Sequence, residues 1–404
     1  MTTSSFFSYS GVLPASKSML NRLLVIRAYA SGKDYLIMGD SSADDVVHMK
    51  EGLASLERSE PADCGEGGTV FRFLALRASR LAGRHHLTGK HRLFSRPIDP
   101  MLDILDQLGV KAHLSTVRGK VGDTPSLVIE SSGAWDLRTP IRVDRSRSSQ
   151  FASGILLNAW DLPSAVQLKF TGDAVSGSYF QMTETLVRRS GMDLETSANG
   201  LCIPPGQSVR AGTYRAESDL SSAFALTAAA AVCGKVDIEE FPARSLQPDR
   251  VFVDILKKMD VPVTLSDGTL HVGQASALQP VDWSLRDSPD LFPVLGVLAA
   301  LAEGKSRLHG APHLTHKESD RIGKTAELLQ TMGRSYEAAP DGLVIHGEGF
   351  QVMGIPTLFN PDHDHRLAMA AGVAMKADFP IRVSTPEVVT KSFPDFWSCI
   401  GIAP

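Results

Sequence analysis

Cationic and hydroxyl-bearing side chains recur at the points where long apolar segments begin. Such points favour anions, because the N-terminus of a helix offers free N–H groups and the positive end of the helix dipole. Lysine and arginine add charge-assisted hydrogen bonds to phosphate and carboxylate groups. The pattern therefore predicts a site for a small ligand that carries several negative charges. Its residues are Lys17, Ser18, Arg22, Arg96, Ser148, Ser149, Gln150, Lys317, Glu318, Arg321, Arg366 and Lys391.

The apolar segments behind these residues predict buried helices. Each segment opens with residues that suit an N-cap and continues with a run that is apolar on most faces. Their starts are spaced by roughly 50–80 residues, which is longer than a solenoid repeat and suits one βαβαββ unit each. The six segments cover residues 16–30, 67–82, 148–159, 218–232, 288–302 and 362–376.

Amphipathic helices and short β-type stretches alternate with the buried helices, which predicts an α/β repeat protein. The amphipathic segments often end in glycine, the residue that most readily takes the left-handed conformation after a helix. They cover residues 99–109, 179–191, 250–260 and 321–333. The β-type stretches cover residues 126–131, 165–170, 269–273 and 342–347. Domain boundaries are predicted near residues 13–14 and 211–215.

Length and composition narrow the class of protein. The chain has 404 residues, more than one hydrophobic core usually serves, so two domains are expected. A net charge of -4 gives no reason to expect nucleic acid as a partner. No apolar run is long enough to span a bilayer, the N-terminus lacks the features of a signal peptide, and the four cysteines form no close pair. We expect a cytoplasmic protein with neither a nucleic-acid nor a membrane partner.

Six short motifs resemble those of the 5-enolpyruvylshikimate-3-phosphate (EPSP) synthase family of enolpyruvyl transferases. The first is LPASKSMLNR, which begins at Leu13 and is similar to the family's N-terminal motif. The others are RPI from residue 96, SSQ from 148, HKESDRI from 316, DHR from 364 and TKSFPDF from 390. They occur in the family's order and cover nearly the whole chain.

The resemblance implies a fold and an assembly state. The fold would be an α/β, two-domain, inside-out barrel of the enolpyruvyl transferase type, built from six βαβαββ repeats with three in each domain. Residues 14–214 would form the first lobe and mainly bind shikimate-3-phosphate. Residues 1–13 and 215–404 would form the second lobe, with the clamp for phosphoenolpyruvate and the catalytic carboxylates. We expect a monomer.

The resemblance also implies an activity and a role for individual residues. The enzyme would move the enolpyruvyl group of phosphoenolpyruvate to the 5-hydroxyl of shikimate-3-phosphate, without a metal or another cofactor. Asp290 would accept the proton of that hydroxyl, Glu318 would handle the proton at the methylene carbon, and Lys17 would contact both substrates. Shikimate-3-phosphate would be bound by Lys17, Ser18, Arg22, Ser148, Ser149, Gln150, Ser176, Tyr179, Asp290, His313 and Lys317. Phosphoenolpyruvate would be bound by Lys17, Gly68, Arg96, Gln150, Arg321, Arg366 and Lys391.

The sequence departs from the family pattern in three places. The loop that usually reads N-A-G-T here reads Glu66-Gly67-Gly68-Thr69, and Glu66 is expected to cap the following helix or to pair with Arg72. His313 takes the place of an asparagine, and Phe73 takes the place of a proline. These departures concern ligand affinity and the response to glyphosate, whereas the reaction class is unchanged.

Several alternatives remain at the level of sequence. The sister transferase that acts on UDP-N-acetylglucosamine usually has a cysteine in a mobile loop, and residues 85–97 contain none. A transferase for another phosphorylated or hydroxylated carbocycle fits the same motifs. A non-catalytic protein that binds an anionic metabolite is disfavoured, because Lys17, Asp290 and Glu318 are present. The histidine-rich stretches lack the spacing of a zinc site, so no metal is expected.

Overall fold

Contacts within the chain divide it into two compact units. The computed structural model describes residues 5–32, 34–119, 122–197, 199–352 and 355–403. The N-terminal unit is Lys17–Ala216, and the C-terminal unit combines Met1–Ser16 with Glu217–Pro404. The chain therefore changes unit at two points, after Ser16 and after Ala216.

Three buried helices form the core of the N-terminal unit. They are α1 (Lys17–Arg27), α3 (Gly68–Ala78) and α6 (Gln150–Asn158), which pack against one another. They lie inside because their side chains are apolar on almost every face. The remaining helices are α2 (Asp44–Glu57), α4 (His91–Phe94), α5 (Asp99–Gln107) and α7 (Gly177–Arg189).

Three sheets accompany these helices. The first has the order β3 (Ala62–Asp63), β4 (Ala82–Thr88), β6 (Gly122–Ser132) and β5 (Lys111–Gly119). The second has the order β7 (Ile141–Asp144), β8 (Val166–Thr171), β10 (Gly200–Ile203) and β9 (Glu195–Ser197). In both, the first pair of strands is parallel and the others are antiparallel. The third pairs β11 (Gly212–Arg215) with β2 (Tyr35–Met38) in parallel.

The C-terminal unit repeats this plan. Its buried helices α8 (Leu220–Cys233), α10 (Phe292–Leu301) and α12 (His365–Lys376) pack against one another. Asp219 caps α8 by accepting a hydrogen bond from the Ser222 N–H (2.9 Å), and Asp364 caps α12 through the Arg366 N–H (3.0 Å). The other helices are α9 (Phe252–Lys258), α11 (Arg321–Thr331), α13 (Phe396–Cys399) and the 3-10 turns Pro248–Val251, Pro289–Leu291, Pro312–His316 and Pro386–Lys391.

In its described residues, the C-terminal unit also has two four-stranded sheets and one two-stranded sheet. The first has the order β1 (Phe7–Gly11), β12 (Gly234–Ile238), β14 (Thr269–Gly273) and β13 (Val263–Ser266). The second has the order β15 (Asp282–Ser284), β16 (Glu303–His309), β18 (Gly342–Glu348) and β17 (Ser335–Ala339). The third pairs β19 (Thr357–Phe359) with β20 (Ile381–Val383) in parallel.

Two of the six repeats are therefore shorter than the βαβαββ unit expected from the sequence. Only residues 58–61 separate α2 from β3, which leaves no room for a closing hairpin. After β20 the chain turns into the Pro386–Lys391 3-10 turn and α13 instead of a hairpin. In the described part of the chain, no helix has the length and apolarity needed to cross a bilayer.

Candidate functional site

Lys17 begins α1 and forms a buried ion pair with Asp45 in the first turn of α2. The two side chains approach to 2.9 Å between Nζ and Oδ2. Packing of α1 against α2 brings the charges together, although 28 residues separate them in the chain. Asp45 thus holds the ammonium group at the start of a buried helix, where an anion is also favoured.

Arg22 lies one turn further along α1 and is held by neutral acceptors. Its Nε donates to Thr183 Oγ1 at 2.7 Å, and its two terminal nitrogens donate to the carbonyl oxygens of Ser18 (2.7 Å) and Tyr179 (3.3 Å). Its guanidinium group also lies over the Phe73 ring. Burial lowers the pKa of Arg22 to about 10, so the side chain stays charged at neutral pH. Arg22 therefore connects α1 to α7 and carries a buried positive charge.

The start of α3 lies against two guanidinium groups. A Cβ atom placed on Gly68 would lie 2.8 Å from Arg96 Nη1 and 3.4 Å from Arg72 Nη1, so only glycine leaves this space. Nε and Nη2 of Arg96 are buried and have no hydrogen-bond partner among the described residues. Glu66 pairs with Lys90 at 3.2 Å, and the expected pairing of Glu66 with Arg72 is not seen.

Gln150 begins α6 beside the same helix start. Its Oε1 accepts a hydrogen bond from Arg72, and its Nε2 donates to Thr69 Oγ1 at 2.8 Å. Ser148 Oγ accepts from the Gln150 N–H at 3.2 Å, and Ser149 occupies the N-cap position of α6. The predicted SSQ motif therefore lies at a buried helix start next to Arg72.

Ser176 and Tyr179 mark the start of α7. Ser176 is buried in a left-handed conformation (φ 52°) at the N-cap position. Non-glycine residues adopt this conformation at a cost of order 1 kcal/mol, and such positions are common at functional sites. The Tyr179 carbonyl oxygen accepts from Arg22. The start of α7 is thereby joined to the start of α1.

In the C-terminal unit, Asp290 lies between two arginines. Arg321 Nη1 approaches Asp290 Oδ1 to 2.7 Å, and Arg366 Nη2 approaches Asp290 Oδ2 to 2.6 Å. Burial alone would raise the pKa of Asp290, but Arg366, Arg321 and Lys317 together hold that pKa well below its usual range. Asp290 is therefore ionised at neutral pH.

Asp364 forms a second link to Arg321. Its carboxylate accepts from Arg321 Nε at 2.7 Å and from Ser319 Oγ at 3.2 Å, in addition to capping α12. Burial would raise the pKa of Asp364, but Arg321 lowers it below its usual value. Conversely, burial would lower the pKa of Arg321, but Asp364 and Asp290 raise it. The network keeps every member charged.

Glu318 lies at the edge of this network. Its Oε2 is 3.1 Å from His365 Nδ1 and 3.7 Å from Lys391 Nζ, and Lys391 also donates to the His363 carbonyl oxygen at 2.6 Å. Ligand atoms of Glu318, Asp364 and His365 all lie within 4.8 Å of one another, a spacing that could hold a metal ion. Arg321 and Lys391 already contact the two carboxylates, so the local charge disfavours a further cation.

His313 is buried on the 3-10 turn that precedes Lys317. Burial, followed by the positive charge of Lys317, lowers the pKa of His313 to about 3. The imidazole is therefore neutral at physiological pH.

The predicted site residues fall into one cluster in each unit. Lys17, Ser18 and Arg22 share α1. Gly68 adjoins Arg96, and Arg72, which also approaches Gly68, donates a hydrogen bond to Gln150. The second cluster contains Asp290, His313, Lys317, Glu318, Arg321, Arg366 and Lys391. The roles of Asp45, Thr69, Arg72, Asp364 and His365 were not predicted from the sequence. Asp364 and His365 lie inside the quoted DHR motif and Thr69 inside the quoted Glu66–Thr69 loop, Arg72 was considered only as a partner of Glu66, and no local signal marked Asp45.

A family model and curated relatives match most of the chain. The family model of EPSP synthase (3-phosphoshikimate 1-carboxyvinyltransferase) matches residues 42–400. The chain is 34% identical to a 3-phosphoshikimate 1-carboxyvinyltransferase of Methanothermobacter thermautotrophicus, over 95% of this chain and 93% of the relative. It is 33% identical to that of Syntrophobacter fumaroxidans (95% and 94%) and 32% identical to that of Methanocorpusculum labreanum (95% and 93%).

Solved structures are similar over nearly the full length. EPSP synthase from Acinetobacter baumannii superposes with a TM-score of 0.72 at 24% identity, covering 98% of this chain and 95% of that one. The enolpyruvyl transferase NikO from Streptomyces tendae has a TM-score of 0.73 at 16% identity, covering 99% and 95%. At these identities the likeness shows the fold, and it confirms the enolpyruvyl transferase type of α/β fold predicted from the sequence.

Proposed function

The chain belongs to the EPSP synthase (3-phosphoshikimate 1-carboxyvinyltransferase) family, and from this premise we propose how its residues carry out the family's reaction. The protein is an enzyme of the shikimate pathway. It transfers the enolpyruvyl group of phosphoenolpyruvate to the 5-hydroxyl of shikimate-3-phosphate and releases phosphate. The observation that carries the assignment of roles is the position of Asp290 between Arg321 and Arg366.

Substrate binding is divided between the two clusters. Lys17, Ser18, Arg22, the Ser148–Gln150 motif and the start of α7 in the N-terminal unit mainly bind shikimate-3-phosphate. The C-terminal unit mainly clamps phosphoenolpyruvate through Arg321, Arg366 and Lys391. Arg96, beside Gly68 in the N-terminal unit, is also assigned to phosphoenolpyruvate, because its Nε and Nη2 have no hydrogen-bond partner among the described residues.

The chemistry requires one acid and one base. Phosphoenolpyruvate becomes electrophilic at C2 only when C3 takes up a proton, and the 5-hydroxyl oxygen then forms a bond to C2 while losing its proton. The resulting adduct loses inorganic phosphate by cleavage of the C–O bond at C2, and the C3 methyl group gives up one proton to restore the double bond. General acid–base groups contribute about 10²- to 10⁴-fold each to such steps.

Asp290 takes the proton of the 5-hydroxyl once Arg321 and Arg366 have bound another anion. In the free protein its pKa is too low for an effective base. When Arg366 and Arg321 donate to phosphoenolpyruvate instead, the positive charge that lowers the pKa of Asp290 is neutralised, and the pKa rises. Substrate binding would therefore activate the base.

Glu318 handles the proton at C3. Its hydrogen bond to His365 connects the carboxylate to a buried imidazole, and Lys391 lies close to the same oxygen. The imidazole can share a proton with Glu318, which provides the acid for the first step and the acceptor for the last. His313 contributes a neutral polar group to the acceptor subsite.

The partners of this enzyme are its small-molecule substrates. We propose further that it acts as a monomer in the cytoplasm, without nucleic acid. The net charge of -4 supports the absence of a nucleic-acid partner.

One assay tests the proposal. The purified protein is incubated with both substrates and a chelator, while phosphate release and product mass are followed. Release of phosphate together with the mass of the enolpyruvyl ether is expected. If only a different acceptor is turned over, that acceptor would replace shikimate-3-phosphate in the assignment. Binding of the substrates without phosphate release would indicate a non-catalytic protein. Loss of turnover on addition of the chelator would contradict the metal-free mechanism.

A further inference from the structure

Arg72 lies beside Gly68 and Gln150 near the start of α3, and no role was assigned to it above. It lies one turn into the helix, with its guanidinium group 4.9 Å from the centre of the Phe151 ring. The same group approaches the space above Gly68, and Arg96 approaches that space from its other side. Arg72 thus forms part of the surface from which Gly68 and Arg96 would contact a ligand.

Asp45 and Glu66 lie at the same helix start, but they pair with Lys17 and Lys90 and not with the two guanidinium groups. Within the ranges that the structure describes, neither Arg72 nor Arg96 pairs with a carboxylate. Burial and the nearby Arg96 lower the pKa of Arg72 to about 10, which still leaves it protonated at neutral pH. Two adjacent guanidinium groups at a helix N-terminus favour an anion strongly.

The contact between Arg72 and Gln150 decides which end of the Gln150 amide faces which neighbour. A guanidinium group has only donors, so it requires the amide oxygen. Thr69 has a hydroxyl that both donates and accepts, so it tolerates either end of the amide. Arg72 therefore selects the orientation in which the Gln150 NH₂ group points to Thr69, the neighbour of Gly68.

We propose that Arg72 is a positioning residue that sets specificity for the anionic substrate, because it holds Gln150 as a hydrogen-bond donor beside Gly68. With the oxygen of Gln150 bound to Arg72, the groups beside Gly68 are the donors Arg72, Arg96 and the Gln150 NH₂ group, whereas the Asp45 carboxylate beside Gly67 is paired with Lys17. An acceptor in that ring would repel a phosphate or carboxylate oxygen. The proposal rests on the assignment of phosphoenolpyruvate to this subsite.

The test compares Arg72→Met, Arg72→Lys, Gln150→Ala and the double variant Arg72→Met/Gln150→Ala. Arg72→Met is expected to raise KM for phosphoenolpyruvate about ten- to hundred-fold, the range for losing a charge-assisted hydrogen bond. KM for shikimate-3-phosphate should rise less, since Gln150 is the one residue assigned to that substrate that Arg72 contacts in the described structure, and Arg72 contacts none on α1 or α7. Arg72→Lys, which keeps the charge and one donor, should recover part of the affinity.

The double variant separates positioning from direct charge. If Arg72 acts through Gln150, Arg72→Met/Gln150→Ala should have nearly the same KM as Gln150→Ala, so the two effects should not multiply. Arg77 on the same helix stacks on Tyr29 and serves as the matched control. Arg77→Met should lower thermal stability while leaving both KM values unchanged.

Several outcomes would overturn the proposal. They are an unchanged KM for phosphoenolpyruvate in Arg72→Met, an equal rise for both substrates, or fully multiplicative effects in the double variant. A thermal-shift titration with phosphoenolpyruvate alone gives a readout that needs no turnover. If the wild type binds phosphoenolpyruvate but does not turn over shikimate-3-phosphate, the acceptor assignment fails, while weaker binding by Arg72→Met still supports the role of Arg72. If the wild type does not bind phosphoenolpyruvate, the proposal for Arg72 fails as well.

Discussion

Arg366 Nη2 lies 2.6 Å from Asp290 Oδ2. The residue assigned to accept the hydroxyl proton is thus paired with a residue that is assigned to bind phosphoenolpyruvate. This contact, together with the one from Arg321, makes the carboxylate a poor base in the free protein. The base therefore becomes effective only when an anionic substrate takes over the arginines. Such coupling would protect the site from unproductive proton transfer.

Asp290→Asn should abolish most of the activity without weakening phosphoenolpyruvate binding. The amide cannot accept the hydroxyl proton, so kcat should fall about 10²- to 10⁴-fold. Arg321 and Arg366 lose a competing carboxylate, so phosphoenolpyruvate should bind as well or better in a thermal-shift titration. The surface variant Asp282→Asn, which removes one exposed partner of His309, controls for charge. A kcat near that of the wild type would remove Asp290 from the mechanism.

Arg96→Ala should weaken phosphoenolpyruvate without lowering stability. Its Nε and Nη2 lack partners in the described structure, so truncation breaks no hydrogen bond there and removes a partly buried charge. KM for phosphoenolpyruvate should rise by the equivalent of about 1.5–3 kcal/mol, while urea unfolding shows an unchanged or higher midpoint.

Lys391→Ala should also weaken the binding of phosphoenolpyruvate more than that of shikimate-3-phosphate, but with a loss of stability, because Lys391 donates a hydrogen bond to the His363 carbonyl oxygen. Equal losses of affinity for both substrates would count against the assignment of either residue.

Arg321→Met should destabilise the C-terminal unit. The substitution leaves the buried carboxylates of Asp290 and Asp364 without a shared cation, and breaking a buried pair in this way costs about 3–5 kcal/mol. Denaturant unfolding measures the effect. Arg58→Met provides the contrast, because its pair with Glu60 is exposed and such pairs contribute about 0–1 kcal/mol. Similar losses in the two variants would show that the network is not structural.

His313→Asn should make stability less sensitive to acid. The pKa of His313 is about 3 in the folded protein and 6.5 in a free side chain, so between these values the unfolded state binds the extra proton. Stability contributed by neutral His313 is therefore present above pH 6.5 and is lost as the pH falls. Between pH 6.5 and 5 the wild type should lose up to about 2 kcal/mol more than His313→Asn. Lys317, Asp290, Arg321 and Arg286, which act on His313, are unchanged in the variant. Parallel pH profiles of unfolding would contradict the low pKa.

The buried helices and the anionic character of the ligand follow from local sequence pattern. Long apolar runs can only be buried, which predicts the six core helices. In the described structure a side chain caps α8 and α12, but none caps α3, α6 or α10. The ordered motifs then indicated the family, which the comparisons confirm. These signals need no knowledge of distant contacts.

The tertiary structure decided which charges meet. Lys17 pairs with Asp45 across 28 residues, Arg72 with Gln150 across 78, and Asp290 with Arg321 across 31, so no local pattern could indicate them. Glu66 was expected to cap α3 or to pair with Arg72, yet Lys90 is its ion-pair partner, because the Cys64–Gly67 loop is bonded to the segment that carries Lys90. The pairing of β1 with β12 and of β2 with β11 likewise joins strands more than 170 residues apart, which packing selects and sequence periodicity cannot.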